Sequence, residues 1–318
     1  MNRVWPAAAA AALCSLQLLA GALQRDVLSI GYSKEKGLLA AAYRGGQVVV
    51  WDFGSGHVKH AYNASGPKDT LNQPLVHFSA GGRYLAFTQE GDAGLVSYNT
   101  ATDASAVLVP RRFLVKGITA FSWAPQADAV LVAIGHDVFL VDAGGHRQWQ
   151  HRLETRAIIT DVVWHPSGKY YTVATDNGEV STWETASGGV VSSSMLETGG
   201  HAVPVKVGWT GDDSLVACVR GVSLAVLDPE TLKPKKTTAC HCLDFSWMPG
   251  GRELFAWAPP DIAVFSGSGQ RTREIRTPYD GEGPIVWAGD GRLLTAFSGS
   301  TVVLRDAHSG KILQTFAP

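Results

Sequence analysis

The sequence contains little cysteine and almost no net charge. Its 318 residues include four cysteines, 27 basic and 28 acidic side chains, and the net charge is −1. So few cysteines imply no disulfide framework. Near neutrality provides no broad electrostatic field for nucleic acid or for an anionic membrane surface. We therefore expect no nucleic-acid partner.

Familiar catalytic signatures are also missing. The chain has no G-x-S-x-G nucleophile turn, no H-E-x-x-H pair and no glycine-rich phosphate loop between a strand and a helix. These absences remove the usual signs of a serine hydrolase, a zinc protease and a nucleotide enzyme. We expect no catalytic residue and no cofactor.

Glycine and tryptophan, by contrast, are plentiful. The chain has 35 glycines and 10 tryptophans, with 45% hydrophobic and 17% charged residues. Many tight turns and a repeated aromatic packing position favour an all-β protein built of short strands.

One sequence pattern recurs along the chain: a run of β-branched residues, an aromatic residue and then a turn that contains Gly, Pro or Asp. Successive aromatics are 46, 45, 41, 45, 38 and 40 residues apart. A period near 40 is typical of propeller blades with four strands each. The aromatics are Tyr32, Phe78, Trp123, Trp164, Trp209, Trp247 and Trp287.

A second landmark follows each aromatic after 18 to 20 residues. Its copies are Trp51-Asp52, Tyr98-Asn99, Val141-Asp142, Trp183-Glu184, Leu227-Asp228, Phe265-Ser266 and Arg305-Asp306. We place the first landmark at the end of strand a and the second at the end of strand c. The two landmarks predict a seven-bladed β-propeller with four antiparallel strands per blade, as one domain over residues 23–318.

The paired landmarks resemble those of the WD-repeat family over nearly the whole chain after residue 25. The family's Gly-His pair is clear only at Gly200-His201, and the Asp of its b–c turn mainly at Asp176. The buried hydrogen-bond network of the family is thus largely missing, so blade rigidity must come mostly from apolar packing. The turns VDAGGHRQW and RDAHSGKIL also resemble propellers of quinone-dependent dehydrogenases, which is the alternative fold.

The N-terminus has the pattern of a secretory signal peptide. Arg3 precedes an apolar stretch, and Ala20-Gly21-Ala22 provides small residues for cleavage before Leu23. We expect residues 1–22 to be removed and the mature chain, without a membrane span, to be secreted, periplasmic or in the secretory-pathway lumen. The alternatives are an N-terminal anchor, an organelle presequence, or a cytoplasmic chain in which Leu13–Gly21 forms a closing strand. Cleavage is favoured because Lys311–Phe316 can supply the last outer strand.

Two further sites are candidates for a metal or a modification. Cys240 and Cys242 could bind a metal with His201, but their C-x-C spacing argues against structural zinc, so no metal is expected. Packed thiols are the favoured interpretation, and a disulfide to Cys218 is the other alternative. Asn63 begins a single N-glycosylation sequon in the loop between the first two blades.

The predicted function is that of a non-enzymatic scaffold, a monomer or a subunit of a complex, that binds partner proteins through one face. The resemblance implies that b–c and d–a loops carry the contacts. The alternative is an exported propeller enzyme or small-molecule binder that uses the central channel. The candidate partner-binding residues are Arg44, Gln89, Glu90, Lys116, His136, Asp137, Arg156, Arg220, Trp257 and Asp261.

Overall fold

A computed structural model shows seven antiparallel sheets of four strands each. It describes residues 26–63, 74–89, 93–110, 117–153, 157–210, 213–248, 250, 252–277, 283–297 and 300–318. These residues include no helix, and the described chain therefore has none that could cross a membrane. The seven-bladed, four-stranded prediction is confirmed.

Each blade uses four consecutive strands, a to d, in the order of the sequence. Blade one contains β1 (Val27–Ser33), β2 (Leu38–Tyr43), β3 (Gln47–Asp52) and β4 (Val58–Asn63). Blade two contains β5 (Val76–Phe78), β6 (Tyr84–Thr88), β7 (Ala93–Asn99) and β8 (Ser105–Pro110). Blade three contains β9 (Ile118–Trp123), β10 (Ala129–Ile134), β11 (Asp137–Asp142) and β12 (Arg147–Arg152). Blade four contains β13 (Ile159–Trp164), β14 (Tyr170–Thr175), β15 (Glu179–Glu184) and β16 (Val190–Met195).

The last three blades follow the same plan. Blade five contains β17 (Val205–Trp209), β18 (Leu215–Val219), β19 (Ser223–Leu227) and β20 (Pro234–Ala239). Blade six contains β21 (Asp244–Trp247), β22 (Glu253–Ala258), β23 (Asp261–Ser266) and β24 (Arg271–Ile275). Blade seven contains β25 (Ile285–Gly289), β26 (Arg292–Phe297), β27 (Thr301–Asp306) and β28 (Ile312–Phe316). Asn63, expected in a loop, is the last residue of β4.

The core is divided into seven apolar layers, one between each pair of neighbouring blades. Side chains alternate between the two faces of a strand, so the middle strands must be apolar on both. In β2, Leu38 packs towards blade two, whereas Leu39 and Tyr43 pack towards blade seven. Its six residues are all buried, which explains the unbroken apolar run LLAAAY.

The layer between blades seven and one closes the ring. Trp51 and Phe316 are both fully buried there, and their ring centroids are 6.2 Å apart. The Trp51 Nε1 donates a hydrogen bond to the Ala317 carbonyl oxygen at 3.0 Å. Blade seven takes its outer strand from Ile312–Phe316, as the sequence predicted.

The tryptophans of the first landmark join neighbouring blades. The indole N–H of Trp123 donates to the His77 carbonyl oxygen at 3.1 Å, and that of Trp164 donates to the Ser122 carbonyl oxygen at 3.1 Å. Each bond reaches strand a of the preceding blade. All five repeat tryptophans contact an interblade layer, Trp123 buried and the other four half-buried. Packing between blades, predicted for this position, is confirmed.

The second landmark ends strand c because its polar residue closes the c–d turn. The Asp52 Oδ1 accepts the Ser55 N–H at 2.9 Å, and the Asp306 Oδ1 accepts the Ser309 N–H at 2.7 Å. Asp and Asn favour turns through such side chain-to-backbone bonds. Asn99, Asp142 and Asp228 accept backbone N–H groups in the same way.

Candidate partner-binding face and central channel

Strands a and c run opposite to strands b and d, so strands b and d end, and strands a and c begin, at one end of the ring. We call this end the loop face. Six of the predicted contact residues are described there: Arg44, Gln89, His136, Asp137, Arg220 and Asp261. Glu90, Lys116 and Arg156 lie outside the described residues.

Three of these six residues also hold the loops together. The His136 Nδ1 is 2.7 Å from the Ala157 carbonyl oxygen, which ties the b–c turn of blade three to the connection before blade four. The Asp137 Oδ1 accepts the Gln150 Nε2 at 2.9 Å, and the Asp261 Oδ1 accepts the Thr277 N–H at 3.1 Å. These three side chains therefore stabilise the loops, in addition to any contact with a partner.

Two arginines are exposed on the loop face. The Arg44 Nε lies 3.0 Å from the Asp26 Oδ2, and more than half of each side chain is exposed. An ion pair this exposed contributes little stability, so a partner carboxylate could replace Asp26 at small cost. Arg220 is exposed in the b–c turn of blade five.

Trp257 is not at the surface, contrary to the prediction. The side chain is 4% exposed and packs between blades six and seven with Phe255 and Ile262. The following Pro259-Pro260 pair suggested a loop, yet β22 continues through Ala258. Trp257 is therefore a core residue, and its assignment as a contact residue is wrong.

The suggested metal site is also altered by the structure. Cys242 forms a disulfide with Cys218, which removes one of the two thiolates. Cys240 is a buried free thiol, and burial raises its pKa. The described residues contain no group of three His, Cys, Asp or Glu side chains placed to bind a metal ion. The prediction of a packed free thiol is confirmed for Cys240 and is wrong for Cys242.

The channel wall contains charges that the sequence analysis missed. Asp161, Lys206 and Asp244 come from the innermost strands of blades four, five and six. Each precedes its repeat tryptophan by three residues, so alignment of the repeats places all three at one level of strand a but does not show which of them pair. The Lys206 Nζ lies 2.8 Å from the Asp244 Oδ1. His77 occupies strand a of blade two.

Both carboxylates bridge neighbouring blades. The Asp161 Oδ2 accepts the Val207 N–H at 2.9 Å, and the Asp244 Oδ2 accepts the Ile285 N–H at 3.1 Å. Strand a has no neighbour on its inner edge, so these N–H groups would otherwise lack a protein acceptor. The Asp161 Oδ1 accepts the N–H of Val162. All four carboxylate oxygens thus already accept a hydrogen bond.

The channel shifts two pKa values in opposite directions. Desolvation raises the pKa of Asp161 to about 6, although hydrogen bonds from Val207 and the charge of Lys206 oppose the shift. Desolvation, helped by the charge of Lys206, lowers the pKa of His77 to about 4. For Lys206, desolvation lowers the pKa, but Asp244 and Asp161 outweigh it and leave the pKa raised. His77 and Lys206 are exposed to solvent in the channel, whereas Asp161 and Asp244 are half-buried.

We expect His77→Gln to reduce the loss of stability in acid. As the pH falls from about 6.5 to 4, the unfolded chain protonates this histidine while the folded chain does not, so wild-type stability falls. Without His77, that fall should shrink by about 1 kcal/mol, a figure reduced for its exposure to channel water. Urea unfolding at several pH values measures the effect.

Asp161→Asn is the companion variant with the opposite sign. The folded carboxyl group holds its proton up to about pH 6, whereas the unfolded one releases it near its ordinary value, so wild-type Asp161 favours folding as the pH falls. The variant should lose stability in acid more steeply than wild type. Equal slopes for both variants would contradict this description of the channel.

A cleft of about 210 Å³ lies between blades one and two. Tyr62, Phe78 and Tyr98 form part of its wall, and the His60 Nε2 lies 3.7 Å from the Asp103 Oδ1 at its edge. Sites for drug-sized ligands usually enclose about 300–1,000 Å³. This cleft is too small for such a ligand.

Comparison with known proteins supports the repeat assignment. Residues 118–212 match the family model described as the anaphase-promoting complex subunit 4 WD40 domain. The chain is a seven-bladed propeller, and its middle part is similar to a WD40 domain. The matched segment covers blades three and four and the first strand of blade five. No curated protein sequence matches this chain.

Several solved structures share the fold at low sequence identity. The Cps50 (Swd1) β-propeller domain of Myceliophteria thermophila is 15% identical, with a TM-score of 0.71 over 88% of this chain and 96% of that one. Chaetomium thermophilum Raptor is 15% identical, with a TM-score of 0.73 over 91% of this chain and 30% of Raptor. A chain of the Mitotic Checkpoint Complex is 16% identical, with a TM-score of 0.71 over 87% and 86% of the two chains. At these identities the likeness shows the fold alone.

Proposed function

We propose that this seven-bladed propeller is a non-enzymatic scaffold that binds partner proteins through its loop face. The observation that carries the proposal is the distribution of loop lengths. In sequence, twelve residues separate β4 from β5, two strands whose adjoining ends are at the loop face, whereas at most six residues separate the strands that are joined at the opposite face. Binding residues concentrate in variable loops held by a rigid framework. The opposite face, in contrast, uses its Asp and Asn side chains to close its own turns.

The comparisons agree with a role in assembly. The family model describes a subunit of the anaphase-promoting complex, and one similar structure belongs to the Mitotic Checkpoint Complex. Both names denote assemblies of several proteins. We infer that the present chain also acts within a complex, with partners of its own.

The double variant Arg44→Glu/Arg220→Glu should weaken capture of such partners at least about tenfold, since charge reversal at an interface costs several kcal/mol. Tagged wild-type and variant proteins would be compared by quantitative mass spectrometry after capture from the native source. Lys169→Glu is the matched control, because Lys169 is exposed in an a–b turn on the opposite face. Capture that is unchanged in the double variant, or lost in the control, would place the interface elsewhere.

The alternative, an enzyme or small-molecule binder that uses the channel, gains one supporting observation. His77, Asp161, Lys206 and Asp244 place titratable groups in the channel wall. We rank this alternative second because all four carboxylate oxygens already hold backbone N–H groups or Lys206. A substrate would have to displace bonds that join the blades.

We also propose that the chain is exported and loses residues 1–22. The Cys218–Cys242 disulfide supports this, because disulfides persist in oxidising compartments and are rare in the cytosol. Protein purified from the native source should begin at or near Leu23. N-terminal sequencing decides the point, and a mature chain that retains Met1–Ala22 in the cytosolic fraction would refute export.

A further inference from the structure

The outer strand of blade four, β16, has an unusual composition for an exposed sheet edge. Its sequence, VVSSSM, has no charged residue and no proline. The described part of the chain exposes seven large apolar side chains, and three of them belong to this strand: Val190 at 54%, Val191 at 56% and Met195 at 59%. Exposed apolar edges are normally avoided because they invite pairing with another chain.

The other outer strands carry the usual protection. Basic side chains occur in β4, β12, β20 and β24, with Lys235 and Lys236 in β20 as the clearest case. β8 ends at Pro110 and buries Leu108 and Val109. β28 follows directly after Lys311. β4, β8 and β28 each expose one large apolar side chain, so β16, with three, exposes more of them than any other described edge.

The backbone of β16 presents hydrogen-bonding groups to its open side. The Leu196 N–H donates to the Gly178 carbonyl oxygen at 2.9 Å, so residue 196 faces β15. Because the ladder alternates, residues 194 and 192 also face β15, and the N–H and C=O of Ser193 and Met195 point outward. These outward groups are the template that an added strand requires.

Carboxylates stand at both ends of the strand. Glu179 pairs with Met195, and Glu197 follows the strand by two residues, at its C-terminal end. Glu184 ends β15 beside the start of β16. No ion pair involves these three side chains among the described residues. A neutral edge with acidic ends complements an apolar segment with basic ends.

We propose that β16 is a second protein-binding site, at which an extended partner segment adds a fifth strand to blade four. The partner segment has β-branched side chains at alternate positions and a Lys or Arg at each end. A second copy of this chain fits poorly, because antiparallel pairing of two β16 strands would bring Glu184 of one copy towards Glu179 and Glu197 of the other. The site lies on the outer rim and is independent of the loop face.

A synthetic peptide tests the proposal. The probe is fluorescein-labelled KTVTVTVTK, and its binding to the intact chain is followed by fluorescence anisotropy. We expect saturable binding, at least about tenfold weaker for the peptide ETVTVTVTE because its ends repel the carboxylates. Glu184→Lys/Glu197→Lys should reverse that preference.

Two protein variants separate strand addition from general stickiness. Ser193→Pro removes an outward N–H and no bond to β15, so it should weaken binding of KTVTVTVTK at least about tenfold. Thr237→Pro is the matched control: the Cys240 N–H bonds to the Val222 carbonyl oxygen, which gives Thr237 in β20 the same outward position. Val191→Lys provides a second test on the strand itself if Ser193→Pro unfolds, and it should also weaken binding.

Three results would overturn the proposal. The first is no saturable binding of KTVTVTVTK, and the second is equal binding by wild type, Ser193→Pro and Val191→Lys. The third is a wild-type dimer in analytical ultracentrifugation that Val191→Lys dissociates, which would make a second copy the occupant. None of these results bears on the loop face, which is tested by Arg44→Glu/Arg220→Glu.

Discussion

Trp51→Ala should lower the free energy of unfolding by about 3–5 kcal/mol, the usual cost of removing a large buried aromatic. Trp51 is fully buried in the layer that joins blade seven to blade one, against Phe316. The substitution also removes the hydrogen bond from its indole N–H to Ala317. Blades one and seven belong to opposite ends of the chain, so only side-chain packing and such bonds hold this junction. Guanidinium-induced unfolding, followed by tryptophan fluorescence and circular dichroism, measures the change.

Two other variants show which part of Trp51 matters. Trp51→Phe keeps most of the apolar volume and should cost less, about 1 kcal/mol of it from the lost hydrogen bond. Trp183→Ala changes the same repeat position in blade four, where the indole is half-buried and bonds to Ser181 within its own strand. If Trp183→Ala destabilises as much as Trp51→Ala, the closing junction has no special importance.

Reduction of the Cys218–Cys242 disulfide should lower the free energy of unfolding by about 3 kcal/mol. The bond joins residues 24 apart in sequence, and closing a loop of that size in the unfolded chain has roughly this entropic effect. It fastens strand b of blade five to the segment that leads into blade six. Chemical unfolding with and without reductant measures the loss.

Cys240→Ser is the control for this experiment, because Cys240 is the free thiol close to the bond. Its stability should depend on reductant as strongly as that of wild type, whereas Cys218→Ala/Cys242→Ala should not respond. If wild type is insensitive to reductant and Cys218, Cys240 and Cys242 can all be alkylated after unfolding, the disulfide does not form. The support that it gives to export would then be lost.

The repeat landmarks predicted the fold because each has a local physical cause. Trp123 ends strand a and donates to the preceding blade, and Asp52 ends strand c by closing a turn. Both causes act within one blade or between neighbours, so they leave a periodic trace in the sequence. The blade number, the strand order and most strand ends followed from that trace.

The site was less predictable because its features are not periodic. Lys206 and Asp244 meet only when two inner strands are placed side by side, and their repeat column contains unrelated residues in other blades. The partners Cys218 and Cys242 belong to different repeats, and no local pattern joins them. The prediction for Trp257 was wrong because its local sequence resembles a loop, yet the side chain is buried by packing between blades six and seven.

Because the last outer strand comes from Ile312–Phe316, every blade corresponds to one continuous stretch of about 40 residues. Asp26 and Pro318 are therefore placed like the two ends of a d–a connection. A short linker could join the end of β28 to the start of β1. New termini could then be opened between any other two blades without cutting a sheet. The architecture is therefore open to circular permutation.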